Sequence, residues 1–337
     1  MRSFPLLLAL LLSGVTWAGD ATASQSSPLY LALGDSLAAG VGASEAPRTG
    51  YVTLVFDALR TEPASPFAAD DLTLLNLGDP GETTTSMLAS GDQMDQALAE
   101  IESRKNDGVK GNEAAVISID IGANDFIPLV VGDSPCLPNP LAEACTQAAT
   151  SALTTFRSNF GEIMRRLRAA AGPEVEIVAL GLYNPLSGTG GPLDAVGDAA
   201  VELFNRNVAT AVAQADVQAH LADVFPFFQG RGPELTHVAE LPPDVHPNDS
   251  GHYLMAVAVV KALGVPAEAV ATPPSGAPPV ATLSSTPPTQ PPTSTVPALP
   301  STNSDEDSDT PWPLYIGLIV AGMVVVTGLL LLVRRRR

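Results

Sequence analysis

Leu29-Tyr30-Leu31-Ala32-Leu33-Gly34-Asp35-Ser36-Leu37 is the stretch on which the fold turns. Five apolar residues in a row, closed by a glycine and an aspartate, are the pattern of a short strand buried on both faces, which is how strands of a parallel sheet read. The serine is left just beyond the strand's carboxyl end, the edge at which open α/β sheets carry their reactive groups. Four more runs of this kind follow, at Leu72 to Leu77, Ala114 to Ile121, Val175 to Leu180 and Val217 to Val224. Helical stretches such as Gln93 to Arg104 and Thr150 to Ala171 lie between them, and a last helix is expected from Ser250 to Leu263. Strands alternating with helices predict a parallel sheet of about five strands covered on both faces.

Three further polar clusters close apolar segments: Asn76 through Thr83, Gly122-Ala123-Asn124-Asp125, and Asp244-Val245-His246-Pro247. A serine hydroxyl is a weak nucleophile until an imidazole takes its proton, and the oxyanion that follows needs donors already in place. His246 precedes a proline outside regular structure and is free to reach Ser36 once the chain folds. His220 falls in a strand-like run, His237 in a polar loop and His252 inside the last helix, where a satisfied core or interface histidine is the ordinary reading. Taken alone, Ser36 reads as a helix N-cap and Asn124 as a turn residue. Their occurrence together with His246 turns both readings toward catalysis.

These clusters resemble the SGNH hydrolase family, the GDSL esterases and lipases, which carry Ser, Gly, Asn and His in separate blocks. Gly34-Asp35-Ser36-Leu37 matches the first block and Gly122-Ala123-Asn124-Asp125 the third, while Asn76 to Thr83 supplies the glycine of the second, Gly81. The family's last block has an acid three residues before its histidine. Here Pro243 holds that place and Asp244 lies two before His246, which leaves Asp244 or a backbone carbonyl to orient the imidazole. The resemblance covers about residues 29 to 264. It implies a flavodoxin-like three-layer α/β/α fold and a carboxylic ester hydrolase acting through an acyl-serine intermediate. Ser36 is then the nucleophile, His246 the base and Asp244 its partner. The amide of Ser36, Gly81 and the side chain of Asn124 form the oxyanion hole, without cofactor or metal. Asp35 and Asp125 are implied to be structural. The family spans lipases, lysophospholipases, thioesterases and carbohydrate acetylesterases, so the substrate is left open. An alternative of another class is a catalytically idle, surface-displayed binding or adhesion domain, against which the presence of all four residues argues.

The chain has 337 residues and a formal net charge of -19. Five of its 17 basic residues lie at the ends, Arg2 and Arg334 to Arg337, so the part between carries 12 basic residues against 36 acidic ones. Such a surface repels nucleic acid and anionic headgroups and suits a soluble, outward-facing domain. Met1 to Ala23 follows signal-peptide grammar, with a basic start, the apolar run Leu6 to Leu12 and small residues at the cleavage candidates. In an exported protein the two cysteines, Cys136 and Cys145, are expected to form one disulfide closing a short surface loop, bordering the acyl pocket. Residues from about Thr272 to Pro311 are rich in Pro, Ser and Thr and read as a stalk. Leu314 to Val333 is uncharged and long enough to span a membrane as a helix, with Arg334 to Arg337 as a cytoplasmic tail. A second reading makes the tail a sortase substrate, because Leu299-Pro300-Ser301-Thr302-Asn303 resembles the LPxTG sorting signal with Asn303 in place of its glycine. The first reading puts the catalytic domain outside the cell on a single span, and the second links it to the cell wall. Oligomeric state is not legible.

Overall fold

A computed structural model describes residues 27–272, apart from 130–132, 137–138, 140–141 and 192. The signal segment 1–23, the stalk beyond Thr272, the sorting-like motif 299–303, the apolar span 314–333 and the basic tail 334–337 lie outside the described residues. Among the described residues no helix is long and apolar enough to cross a membrane.

The five expected strands all form: β1 (Leu29–Gly34), β2 (Thr73–Asn76), β3 (Ala114–Asp120), β4 (Glu176–Leu180) and β5 (His220–Ala222). They make one parallel sheet in the order β2-β1-β3-β4-β5. This is the flavodoxin-like order, in which the chain builds outward from β1 to one side and then returns to build on the other, leaving a crevice between the ends of β1 and β3. Ser36 follows β1 and Asn124 follows β3, so the topology delivers both to that crevice.

Five long helices cover the sheet: α1 (Tyr51–Thr61), α2 (Gln93–Asn106), α3 (Glu143–Ala171), α4 (Leu193–Val212) and α5 (Asp249–Ala262). The two-residue period of the strands sorts their side chains onto two cores. Leu29, Leu31 and Leu33 of β1 join Ile117 and Ile119 of β3 in the core that includes α2, α3 and α4. Tyr30 and Ala32 join Val116 and Val178 in the core that includes α1 and α5. Helix α5 is buried at every residue from Gly251 to Val260, as a helix apolar on all sides must be. Val265 and Val270 complete this second core, so the folded domain runs past the expected end at residue 264.

Two expectations are corrected. The fifth strand is only three residues long instead of the run Val217 to Val224, and on its amino-terminal side Arg168 of α3 takes the backbone carbonyls of the turn. Its Nε donates to Val217 O at 2.7 Å and its Nη2 to Gln218 O at 3.0 Å, with Gln218 held at φ +46°. Cys136 and Cys145 form the expected disulfide, with both cysteines buried in the core beside Phe126 and Leu129 and the described residues Asn139, Glu143 and Ala144 of the loop they close exposed. Cys145 sits in the first turn of α3, which begins seven residues before the expected Thr150.

Candidate active site

Ser36 is placed by a strand end that admits no side chain. At Gly34, φ is +146° and an added Cβ would lie 2.4 Å from the backbone oxygen of Asp120 on the neighbouring strand, so only glycine fits. Gly34 is also clasped by Gln93, the first residue of α2, whose Oε1 accepts from Gly34 N at 2.7 Å and whose Nε2 donates to Gly34 O at 2.9 Å. Beyond it the chain enters no helix. Residues 36–42 form consecutive turns, with Ala39 N donating to Asp35 O at 3.1 Å and Val41 N to Ser36 O at 2.9 Å. Ser36 is therefore not a helix N-cap, and its half-buried hydroxyl is free for another partner.

That partner is His246. The Ser36 Oγ lies 2.9 Å from His246 Nε2, across 210 residues of sequence. His246 Nδ1 lies 2.5 Å from Asp244 Oδ1, which also accepts from the backbone N of His246 at 3.0 Å. The two-residue spacing is what permits this double contact. The carboxylate curls back over its own loop, so the acid and not a backbone carbonyl faces Nδ1. With Nδ1–H donating to Asp244, Nε2 is left to accept from the serine hydroxyl. Partial burial would raise the Asp244 pKa, but the hydrogen bond from His246 N and the imidazole beside it override burial and hold it below the ordinary value.

The loop carrying His246 is pinned from three sides. Tyr183, after β4, donates its hydroxyl to Val245 O at 2.9 Å and stacks on Phe228. Gly42, at φ +92°, lets the turns after Ser36 approach, since a Cβ there would meet Pro247 O at 2.3 Å. His237 N donates to His246 O at 3.1 Å, and the His237 ring lies between Glu240 Oε1 at 2.6 Å and Gly42 O at 2.8 Å. Both ring partners are acceptors. They outweigh the desolvation that would lower the His237 pKa, which is raised.

His252 has the opposite character. It is fully buried in α5, its Nε2–H donates to Val41 O at 3.0 Å and its Nδ1 accepts from Tyr51 N at 3.3 Å. Burial depresses its pKa to about 4. It is a neutral clamp on the loop behind the nucleophile, as a satisfied core histidine should be. His220 lies on β5 against Glu176 at 2.7 Å.

Asn124 opens a 3-10 turn (Ala123–Leu129) after β3. Its Nδ2 donates to Glu82 O at 2.9 Å and to Asp35 Oδ2 at 3.2 Å, so the amide nitrogen faces the crevice between the turns after β1 and β2. Gly81, one residue before Glu82, is exposed with φ +95°. Within the described residues neither its amide nor that of Ser36 donates a hydrogen bond, and both N–H groups are available to a ligand. Asp125 fixes the relation between these turns by accepting from Thr84 N at 3.0 Å and at its other oxygen from Thr84 Oγ1. Asp35 and Asp125 thus bind the site together; Asp35 Oδ1 also comes within 3.5 Å of Ser36 Oγ, while the acid on His246 Nδ1 is Asp244. Among the described residues no group of three or more His, Cys, Asp and Glu side chains is arranged to hold a metal ion.

Sequence reasoning missed Gln93, Tyr51, Asp120, Tyr183 and His237. Gln93 opens a helix and Asp120 ends a strand, with no local pattern to mark either. Gly122-Ala123-Asn124-Asp125 was the signal closest to Asp120, beginning two residues beyond it.

A parallel sheet with a serine, an imidazole and an acid in hydrogen-bonded sequence at its carboxyl end, beside converging N–H donors, defines a serine hydrolase of the α/β class. The sequence profile of the GDSL-like lipase/acylhydrolase family matches residues 32–254, two-thirds of the chain, and the chain belongs to that family as an esterase or lipase of the SGNH type. Among solved structures, a lipase from a goat-rumen metagenome is similar at 22% identity and a TM-score of 0.51, covering 71% of this chain and 98% of that one. An acetyl-xylooligosaccharide esterase from Geobacillus stearothermophilus is similar at 18% identity and a TM-score of 0.48, over 72% of this chain and 96% of its own. No curated protein matches the chain in sequence.

Proposed function

We propose that the protein is an exported, surface-anchored carboxylic ester hydrolase in which Ser36 is the nucleophile, His246 the general base and Asp244 its orienting partner. The observation that carries this reading is the unbroken relay Ser36 Oγ, His246 Nε2, His246 Nδ1 and Asp244 Oδ1, with separations of 2.9 and 2.5 Å. As Ser36 Oγ bonds to the ester carbonyl carbon, its proton passes to Nε2, and Asp244 stabilises the imidazolium. The carbonyl π electrons move onto oxygen, and the oxyanion is received by the N–H groups of Ser36 and Gly81 and by one Asn124 Nδ2–H, which gives up Glu82 O for it while the other stays on Asp35. Collapse expels the alcohol, which takes the proton from His246. Water then repeats the sequence on the acyl-Ser36 ester, releasing the acid and restoring the serine. A non-catalytic binding domain would have no use for this relay.

Anchoring rests on the sequence pattern at the two ends. A signal segment at 1–23, a Pro/Ser/Thr-rich stalk at 272–311, an uncharged span at 314–333 and four terminal arginines together describe an outward-facing domain on a single membrane helix. The test of the activity is a panel of acyl esters of graded chain length, together with acetylated xylo-oligosaccharides, lysophospholipids and acyl thioesters. Hydrolysis of any class establishes the reaction, and the ratio of kcat/KM values assigns the substrate. Failure across the whole panel by folded protein would contradict the proposal.

A further inference from the structure

A second acid lies beneath the nucleophile. Asp120, the last residue of β3, is 3% exposed. Its Oδ1 accepts from the hydroxyl of Tyr51 on α1, and its Oδ2 lies 3.4 Å from the backbone N of Asp35. Among the described residues no Lys, Arg or His is hydrogen-bonded or ion-paired to it. Asp35 is 2% exposed and holds the better set of donors: Leu37 N at 3.0 Å, Asn124 Nδ2 at 3.2 Å and the more distant Ser36 Oγ. Two adjoining buried carboxyls without a cation between them do not both ionise. An ionised carboxylate only accepts, so the negative charge belongs where the N–H donors converge, on Asp35, and the proton on Asp120.

Building on the hydrolase assignment, we propose that Asp120 is a positioning residue: kept as a neutral acid, it leaves Asp35 as the anion that fixes the Asn124 amide and the Ser36–Leu37 turn. Of the ionisable groups facing the pair, only the Tyr51 hydroxyl, which donates to Asp120, pulls toward an Asp120 anion. Tyr51 on α1, Tyr30 on β1 and Tyr183 after β4 are all neutral phenols, and burial raises the pKa of each. His246, on the loop before α5, faces Asp35 and favours its anionic form, while His252 on α5 stacks on Tyr51 and is neutral. Burial first, and the charge on Asp35 second, push the Asp120 carboxyl well above the usual range, and Asp35 is raised by its own burial against the pull of its donors. If Asp120 ionised, its charge would repel Asp35 and loosen the bond to Asn124 on which the oxyanion hole depends.

The experiment is infrared difference spectroscopy of the full chain carrying carboxyl-labelled aspartate, followed from neutral to alkaline pH beside the pH profile of kcat. At neutral pH a neutral-carboxyl band should be present. It should vanish in Asp120→Asn, which retains a neutral side chain able to donate to Asp35, and survive in Asp35→Asn. In the wild type kcat should track the band, falling with the same midpoint wherever the band bleaches. In Tyr51→Phe, which removes a donor that favours the Asp120 anion, the midpoint of both should rise. Absence of the band at neutral pH overturns the proposal, and this reading needs no variant. So does loss of the band in Asp35→Asn with survival in Asp120→Asn, or a kcat that changes while the band does not. The infrared signal involves no turnover, so its failure is distinct from failure of the hydrolase assignment.

Discussion

His252 should make the protein lose stability in mild acid by an amount set by its burial. In the fold its pKa is depressed from 6.5 to about 4, whereas in the unfolded chain it takes the ordinary value. A base with a depressed folded pKa contributes stability that is complete above the unfolded pKa and is lost as pH falls toward the folded one. At pH 7 both states are mostly neutral and the loss is about 0.2 kcal/mol; at pH 5 only the unfolded state is charged and the loss reaches about 2 kcal/mol, approaching about 3 kcal/mol near pH 4. His252→Gln removes the titration while keeping a donor for Val41 O. It should be less stable than the wild type at pH 7, having lost the acceptor for Tyr51 N, but should lose about 2 kcal/mol less between pH 7 and pH 5. His237, whose raised pKa works in the opposite sense, is common to both proteins and cancels in the comparison. Urea titrations followed by circular dichroism measure this, since both tryptophans, Trp17 and Trp312, lie outside the described residues. Equal losses in the two proteins would refute the assignment of His252 as a buried neutral clamp.

Asn124→Ala should lower kcat about a hundredfold or more with little change in KM, because the amide contributes most once the oxyanion has formed; a change confined to KM would make Asn124 a substrate-binding residue. Reducing the Cys136–Cys145 disulfide should lower unfolding stability by about 3 kcal/mol, the value for a loop of about ten residues, as read from the shift in urea midpoint; a midpoint unmoved by reductant would show that the bond contributes nothing. Deleting everything after about Thr272 should release active enzyme into the medium, while the intact chain fractionates with membranes and retains its arginine tail. Mass-spectrometric detection of Thr302 joined to a wall fragment would replace the membrane span with sortase attachment.

The chemistry-bearing residues were legible because each stands in a short pattern at the end of an apolar run. The first strand shows why the fold was also legible: alternate residues of Leu29 to Leu33 feed two different cores, which requires an apolar residue at every position and so marks a central parallel strand. Asp244 was only half legible. Its residue type was visible, but whether a two-residue spacing could reach Nδ1 depended on the loop's curvature, which Asp244 itself sets by capping His246 N. The late start of β5 was hidden, since the side chain that holds the carbonyls before it belongs to α3, about fifty residues away. Thr146, Thr150 and the alanines around them give the first turns of α3 too weak an apolar stripe to announce a helix, and burial of Cys145 holds them in place. Asp120 and Gln93 were illegible for a related reason: their importance comes from what the topology sets beside them.

The central claim is that Ser36 is the covalent nucleophile, and the most direct measurement is fluorophosphonate labelling followed by peptide mapping, with ester turnover recorded in parallel. The account predicts one stoichiometric adduct on Ser36, loss of activity in step with labelling, and neither adduct nor appreciable turnover in Ser36→Ala, where the rate should fall by several orders of magnitude. An adduct on another residue, or ester turnover in Ser36→Ala comparable to that of the wild type, would contradict it.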